Sequence, residues 1–361
     1  MKAKSSLTNQ LNMRGPQAFL ALTVVTCLVL ATNSAVAESN ELPGQTSPNA
    51  LKVQIEAEAP PAPLARTVLR ADSTSMSNAD AITHRENRLT FVKPLRLRAL
   101  KSYSFEGTQI FGDADWLHYD GYRFLGSSEL QIARDLILST TAGAGQLTLD
   151  DYQRRPYGIA RTMPIWKIRT VYTPIRATDL RLEASDDFAY LSWVDQAQSG
   201  RVVSVRNYFG EIESFTFQRW QLRTNGRISE FGDENEQQVI DNVVLREVVS
   251  GPFKLAAGVG GGLTRFKYQT PAYWSPAHFE NYGLRLVASK DFFSVWNFET
   301  KLNYGFRQTR GFERERESGA ELNLRYLDKS GWLVRLNGNF YAVNDGAWWK
   351  NDLALNLEMP L

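Results

Sequence analysis

Glu299, Lys301, Glu321, Arg325 and Arg335 stand at alternate positions in segments whose intervening residues are large and apolar, and Arg285 joins them from the preceding segment. Full charges of both signs on one face pair across a ladder at little cost. They can line a wet path along which a hydrated solute slides through many weak hydrogen bonds. The same charges also suit an interior closed by salt bridges. Tyr273 and Trp274, within Ala272–Pro276, offer aromatic faces to the apolar C–H surfaces of sugar rings at the mouth of such a path. They equally suit a loop folded over that mouth with both rings packed inside.

Other candidates for chemistry are weaker. Ser275, His278 and Glu280 invite a hydrolase reading, but their spacing is tight and no nucleophile-elbow sequence flanks the serine. His84 and His118 are the other histidines, and no metal-ligand spacing appears. Gly258–Gly262 resembles a phosphate loop in composition only, since it lacks the lysine and the strand-to-helix switch. Glycine inside a strand more often makes a bend or leaves room for a bulky neighbour. No catalytic residue, cofactor or metal is therefore expected.

The elements that position the charges read as β-strands. Trp296, Phe298, Thr300, Leu302, Tyr304 and Phe306 share one face, and Asn297, Glu299, Lys301, Asn303 and Arg307 share the other. The same period of two recurs over 321–326 and 332–340 and in the last strand, Leu353 to Leu361. The polar face is charged, so it faces water. The apolar face ends in aromatics, as lipid-facing strands do at membrane interfaces. Trp296, Leu322 and Trp332 are expected to face lipid, with Trp296 near mid-bilayer. From Pro94 onward the pattern gives about fourteen strands joined by alternating short and long connections, and poor alternation over 200–235 leaves sixteen open. The expected fold is all-β, a transmembrane antiparallel up-and-down barrel occupying 93–361. A soluble sandwich would also alternate. However, its small core would be crowded by Trp296, Trp332 and Phe340.

Residues 1–37 read as an export signal: Lys2, Lys4 and Arg14, then the apolar run Phe19–Ala31, then Ala35-Val36-Ala37 before Glu38. The single cysteine, Cys27, lies inside it, so the mature chain has no thiol chemistry. Residues 38–92 carry scattered prolines and few aromatics, which suggests a mobile periplasmic tail or a plug segment. Without the three signal cations, 38 of the 41 basic residues remain against 39 acidic ones, and that balance excludes a typical nucleic-acid binder. Arg outnumbers Lys 29 to 12, which suits fixed charges that face a lumen or bind saccharide and phosphate oxygens.

Ala272-Tyr273-Trp274-Ser275-Pro276, followed by a strand opening at Asn281-Tyr282-Gly283, resembles the Tyr-Tyr-Ser-Pro loop of exopolysaccharide export porins. Those porins are the C-terminal barrels of the poly-N-acetylglucosamine exporter and of the cellulose-synthase outer-membrane subunit. Phe231–Glu236 is similar to that family's Ser-Asp-Gly-Asn turn, with Glu234 in place of the glycine. Val343-Asn344-Asp345-Gly346 resembles its Tyr-Asp-Gly hairpin, and Asp187–Ser192 is similar to a short segment that follows a central strand in the same barrels. The resemblance covers roughly 180–361, and loosely the chain from 93. It implies an outer-membrane barrel, embedded in lipid, that passes a secreted polysaccharide along Arg285, Glu299, Lys301, Glu321, Arg325 and Arg335, with Tyr273 and Trp274 at the mouth. The family's helical repeats of about 34 residues are absent here. A separate protein would then supply the periplasmic scaffold, or none is needed. The competing classes are a general diffusion pore, a translocation barrel for surface proteins, a barrel lipid hydrolase, and a structural or receptor barrel.

Overall fold

The computed structural model describes residues 66–361 except 80–81, 96, 98, 115–116, 152–154, 176, 190–203, 216–218, 271–274 and 293–294. The export signal, most of the expected tail, and Tyr273 and Trp274 lie outside the described residues.

The chain forms sixteen strands: β1 (Val68–Asn78), β2 (Thr83–Pro94), β3 (Leu100–Ala114), β4 (Leu117–Ala133), β5 (Leu136–Asp151), β6 (Arg155–Ile175), β7 (Thr178–Phe188), β8 (Ser204–Ser214), β9 (Trp220–Phe231), β10 (Glu236–Val249), β11 (Phe253–Phe266), β12 (Phe279–Phe292), β13 (Trp296–Thr309), β14 (Glu315–Leu327), β15 (Leu333–Val343) and β16 (Trp348–Pro360). Each pairs antiparallel with its neighbours in sequence, and β1 pairs with β16 to close the sheet into a barrel. Closure removes the unpaired edges that could not survive in hydrocarbon.

Register sorts the side chains onto two faces. Across β12–β13–β14, Leu286 faces Leu302 and Leu302 faces Ala320, while Arg285 faces Asn303 and Lys301 faces Glu321. The first set points outward: Leu284 is 64 % exposed, Leu322 42 % and Leu353 52 %. Aromatics bound this apolar band. At the end holding Val68 and Pro360, the Trp296 and Tyr326 rings lie tilted against each other at 4.7 Å between centroids. Towards the other end, Arg314 lies over both Tyr282 and Phe306. Trp296 to Phe306 spans ten strand residues, about 25 Å of height at about 3.4 Å per residue and a tilt of about 40°. That height matches the hydrocarbon band of an outer-membrane barrel. Trp296 therefore sits in the interfacial belt as the first residue of β13, which corrects its expected place near mid-bilayer.

The barrel begins at Val68, so 68–92, expected to be tail, supplies β1 and most of β2. The count rises to sixteen at this end of the chain rather than in the middle. The outward face of β1 is Leu69, Ala71, Ser73, Ser75 and Ser77, small and mostly polar, so period two leaves no hydropathy signal. Backbone pairing on both sides, from Val68↔Pro360 to Asn78↔Lys350 and from Val68↔Val92 to Ser77↔Thr83, holds the strand regardless.

Candidate functional site in the barrel interior

Arg285, Glu299, Lys301, Glu321, Arg325 and Arg335 all take the inward phase, opposite the exposed leucines. Lys301 Nζ lies 2.9 Å from Glu321 Oε1 and 3.2 Å from Glu299 Oε1. Asn323 Nδ2 donates to the same two carboxylates at 2.8 and 3.3 Å. Lys301, Glu299 and Glu321 are thus held by one another along the wall. Arg325 sits directly opposite Arg335.

The glycines of β11 make room for this wall. A Cβ at Gly260 would stand 2.9 Å from Arg285 Nε, and one at Gly262 would overlap the Asp241 carboxylate. Arg285 and Asp241 therefore lie flat across the strand between them, and the backbone stays clear of phosphate-loop geometry. Gly145 on β5 does the same for Arg123, since a Cβ there would meet Arg123 Cγ at 2.9 Å.

Two ion networks escaped the sequence reading. Arg123 on β4 reaches Glu86 on β2 at 2.8 Å and Asp187 on β7 at 2.9 Å. Glu211 on β8, nearly fully buried, is held by Arg181 at 3.0 Å and Arg223 at 2.6 Å. The missed signal is charge at i and i+2, as in Arg70/Asp72, Glu86/Arg88, Arg181/Glu183 and Glu211/Glu213. Such pairs mark an inward strand face even where the outward face is small or polar.

The interior is not wet throughout. Ile110, Tyr119, Leu147, Leu149, Met163, Ile165 and Phe188 form a buried apolar cluster on the inward faces of β3–β7. The Tyr119 hydroxyl is tied to His84 Nδ1 at 2.8 Å. Below and beside this cluster a cavity of about 720 Å³ runs obliquely from Arg70, Lys101 and Arg169 near the terminal end to Asn207, Arg227 and Gln237 nearer the other end. A second cavity of about 370 Å³ lies against Arg223, Asp241, Arg285, Lys301 and Glu321. Three of the six expected lumen residues therefore line open space.

The loop end carries the motif residues. Asn235 ties the β9–β10 turn to the following loop: its Nδ2 donates to Tyr268 O at 3.0 Å, and its Oδ1 accepts from Tyr268 N at 3.0 Å. Glu234, in the glycine position of that turn, takes φ +72°. Ser275 Oγ accepts from Thr270 N at 2.8 Å and donates to Thr270 O at 3.2 Å, whereas His278 Nε2 lies 3.5 Å from Glu280 Oε2. The serine hydroxyl is thus spent on its own loop. Among the described residues no three His, Cys, Asp or Glu side chains are grouped to hold a metal.

A closed sheet, an apolar belt between aromatic girdles and a charged interior together define a transmembrane β-barrel of the outer-membrane type. The sequence matches no protein-family model and no curated protein. Among solved structures, the chain is similar to a bacterial polysaccharide outer membrane secretin, with a TM-score of 0.64 and 9 % identity over 82 % of this chain and 98 % of that one. It is also similar to CdiB from Acinetobacter baumannii (TM-score 0.49, 9 % identity, 82 % and 60 % covered) and to the CymD monoaromatic hydrocarbon channel (0.46, 8 %, 82 % and 88 %). At 9 % identity, what the likeness to the secretin shows is the barrel fold alone.

Proposed function

We propose that this protein is an outer-membrane channel, non-enzymatic, that lets a secreted polysaccharide leave the cell. The observation that carries the reading is the oblique cavity of about 720 Å³ inside a closed barrel, walled by Ser104, Ser127, Ser139, Thr141 and Ser185 among fixed charges. Hydroxyls and paired charges offer a sugar chain many weak partners and no deep well, which is what passage requires. The likeness to a polysaccharide secretin supports the reading.

In this arrangement the barrel end with Val68, Pro360 and the β14–β15 turn faces the periplasm, and the end with Asn235 and Ser275 faces outward. Tyr273 and Trp274 contact the saccharide at the outer mouth. Lipid surrounds the belt, and a separate periplasmic protein delivers the polymer. Deleting the gene tests the proposal. Polysaccharide should accumulate in the periplasm with synthesis unchanged, and unchanged surface polysaccharide would rule out an essential export role.

A further inference from the structure

We infer that the cavity selects an acidic saccharide, one whose rings carry carboxylate or sulfate groups. The inference rests on the channel reading and specifies its substrate class.

The charge lining the cavity is uneven in what is already committed. Arg70 is paired with Glu358 at 2.8 Å, Arg88 with Glu106 at 3.3 Å, and Lys167 with Glu183 at 2.9 Å. Arg123 is held by Glu86 and Asp187. Lys101, Arg169 and Arg227 line the same cavity and make no ion pair among the described residues. Arg227 donates one Nη2 hydrogen bond to Gln237 Oε1 at 3.2 Å, and its Nε is buried without a hydrogen-bond partner among the described residues. On the acidic side, Asp72 accepts from Asn356, and Asp186 is paired with Arg206. Glu129 lies within electrostatic reach of both Lys101 and Arg169, and Asp241 within reach of Arg227, Arg285 and Arg223, so each of these carboxylates is shared among several cations. The cavity's spare donors are therefore cationic, and they lie at both ends of its oblique course.

A guanidinium offers a planar fork that matches a carboxylate or sulfate oxygen pair, and a charge-assisted bond of this kind exceeds a neutral one. A neutral glucan would leave Arg169 and Arg227 no better served than water does. A polyanion would meet Lys101 and Arg169 at the terminal end and Arg227 further along. The hydroxyls between them would serve its ring oxygens.

The test uses the full mature chain reconstituted in planar bilayers, with oligogalacturonate, dextran sulfate and neutral dextran of matched length as blockers. The wild-type barrel should prefer chloride over potassium in a salt gradient, and an acidic oligomer should half-block it at about a tenth of the neutral concentration or less. The lower of the two acidic half-blocking concentrations assigns the anionic group. Arg169→Gln with Arg227→Gln should raise the acidic half-blocking concentration about tenfold and leave dextran unchanged. Arg169→Glu should weaken chloride preference further. Heat-modifiable gel mobility checks that each variant folds. Equal block by dextran, or acidic block unchanged in both variants, overturns the inference. A barrel with no conductance at all overturns the channel reading instead. Equilibrium dialysis of labelled oligogalacturonate against the micelle-bound barrel then decides the site: binding lost in the double variant upholds it, and no binding overturns it.

Discussion

Leu322 and Asn323 are adjacent on β14 and differ in the face they present, so arginine at each position measures the in/out assignment directly. Leu322 is 42 % exposed and points outward opposite Thr300 and Gly338. It lies four residues from Tyr326 in the terminal-end belt, about 10 Å of height, which is near the middle of a band about 25 Å tall. Arginine there costs about 2–4 kcal/mol. Asn323 faces inward and donates to Glu299 and Glu321. Arginine at that position replaces amide donors with guanidinium donors beside two carboxylates, a change of less than about 1 kcal/mol in a wet setting. The expected gap of about 2 kcal/mol is a factor of about 30 in the folding equilibrium. Urea unfolding in lipid vesicles, followed by the gel shift of heated against unheated protein, reads it. Equal losses, or a larger loss for Asn323→Arg, would refute the face assignment and with it the wet interior.

Glu234→Gly should stabilise the barrel by about 1 kcal/mol in the same assay, because φ +72° strains a residue with a Cβ. Gly260→Val should destabilise by about 1–3 kcal/mol, and Gly338→Val should not, since a Cβ meets Arg285 Nε at the first site and open space at the second. Arg123→Ala should cost about 3 kcal/mol by stranding Glu86 and Asp187, and Glu86→Gln should cost less. In the β14–β15 turn, the Ser330 hydroxyl and then the backbone N–H groups of Trp332, Ser330 and Gly331 hold the Asp328 carboxyl below the usual carboxylate range. Its contribution to turn order should be full above the unfolded value near 4 and lost as pH falls through the lower folded value, which an NMR titration of the Asp328 side chain would follow.

Legibility in the sequence followed the contrast between faces. On β12–β16 large apolar residues alternate with charges, so both the strands and the inward set Arg285, Glu299, Lys301, Glu321, Arg325 and Arg335 could be read directly. On β1 the outward serines erase that contrast, and the strand exists because β2 and β16 pair with it. The Arg123–Glu86–Asp187 bridge joins residues 37 and 64 positions apart, a distance that periodicity cannot see. The inward apolar cluster on β3–β7 defeats the rule that charges mark the interior. Leu147 and Leu149 share their parity with Thr141, so the sequence gives no sign of where the wall changes from wet to dry. For Trp296 alternation gives the face and not the height, because alternation fixes facing and strand ends fix depth.

The most direct test of the central claim, an aqueous path through the barrel, is single-channel recording of the purified protein in a planar bilayer. Stable current steps that scale linearly with voltage are predicted, and they should change in size in Lys301→Ala, whose side chain lines an interior cavity. A folded, heat-modifiable barrel that inserts and carries no current at any voltage would contradict it.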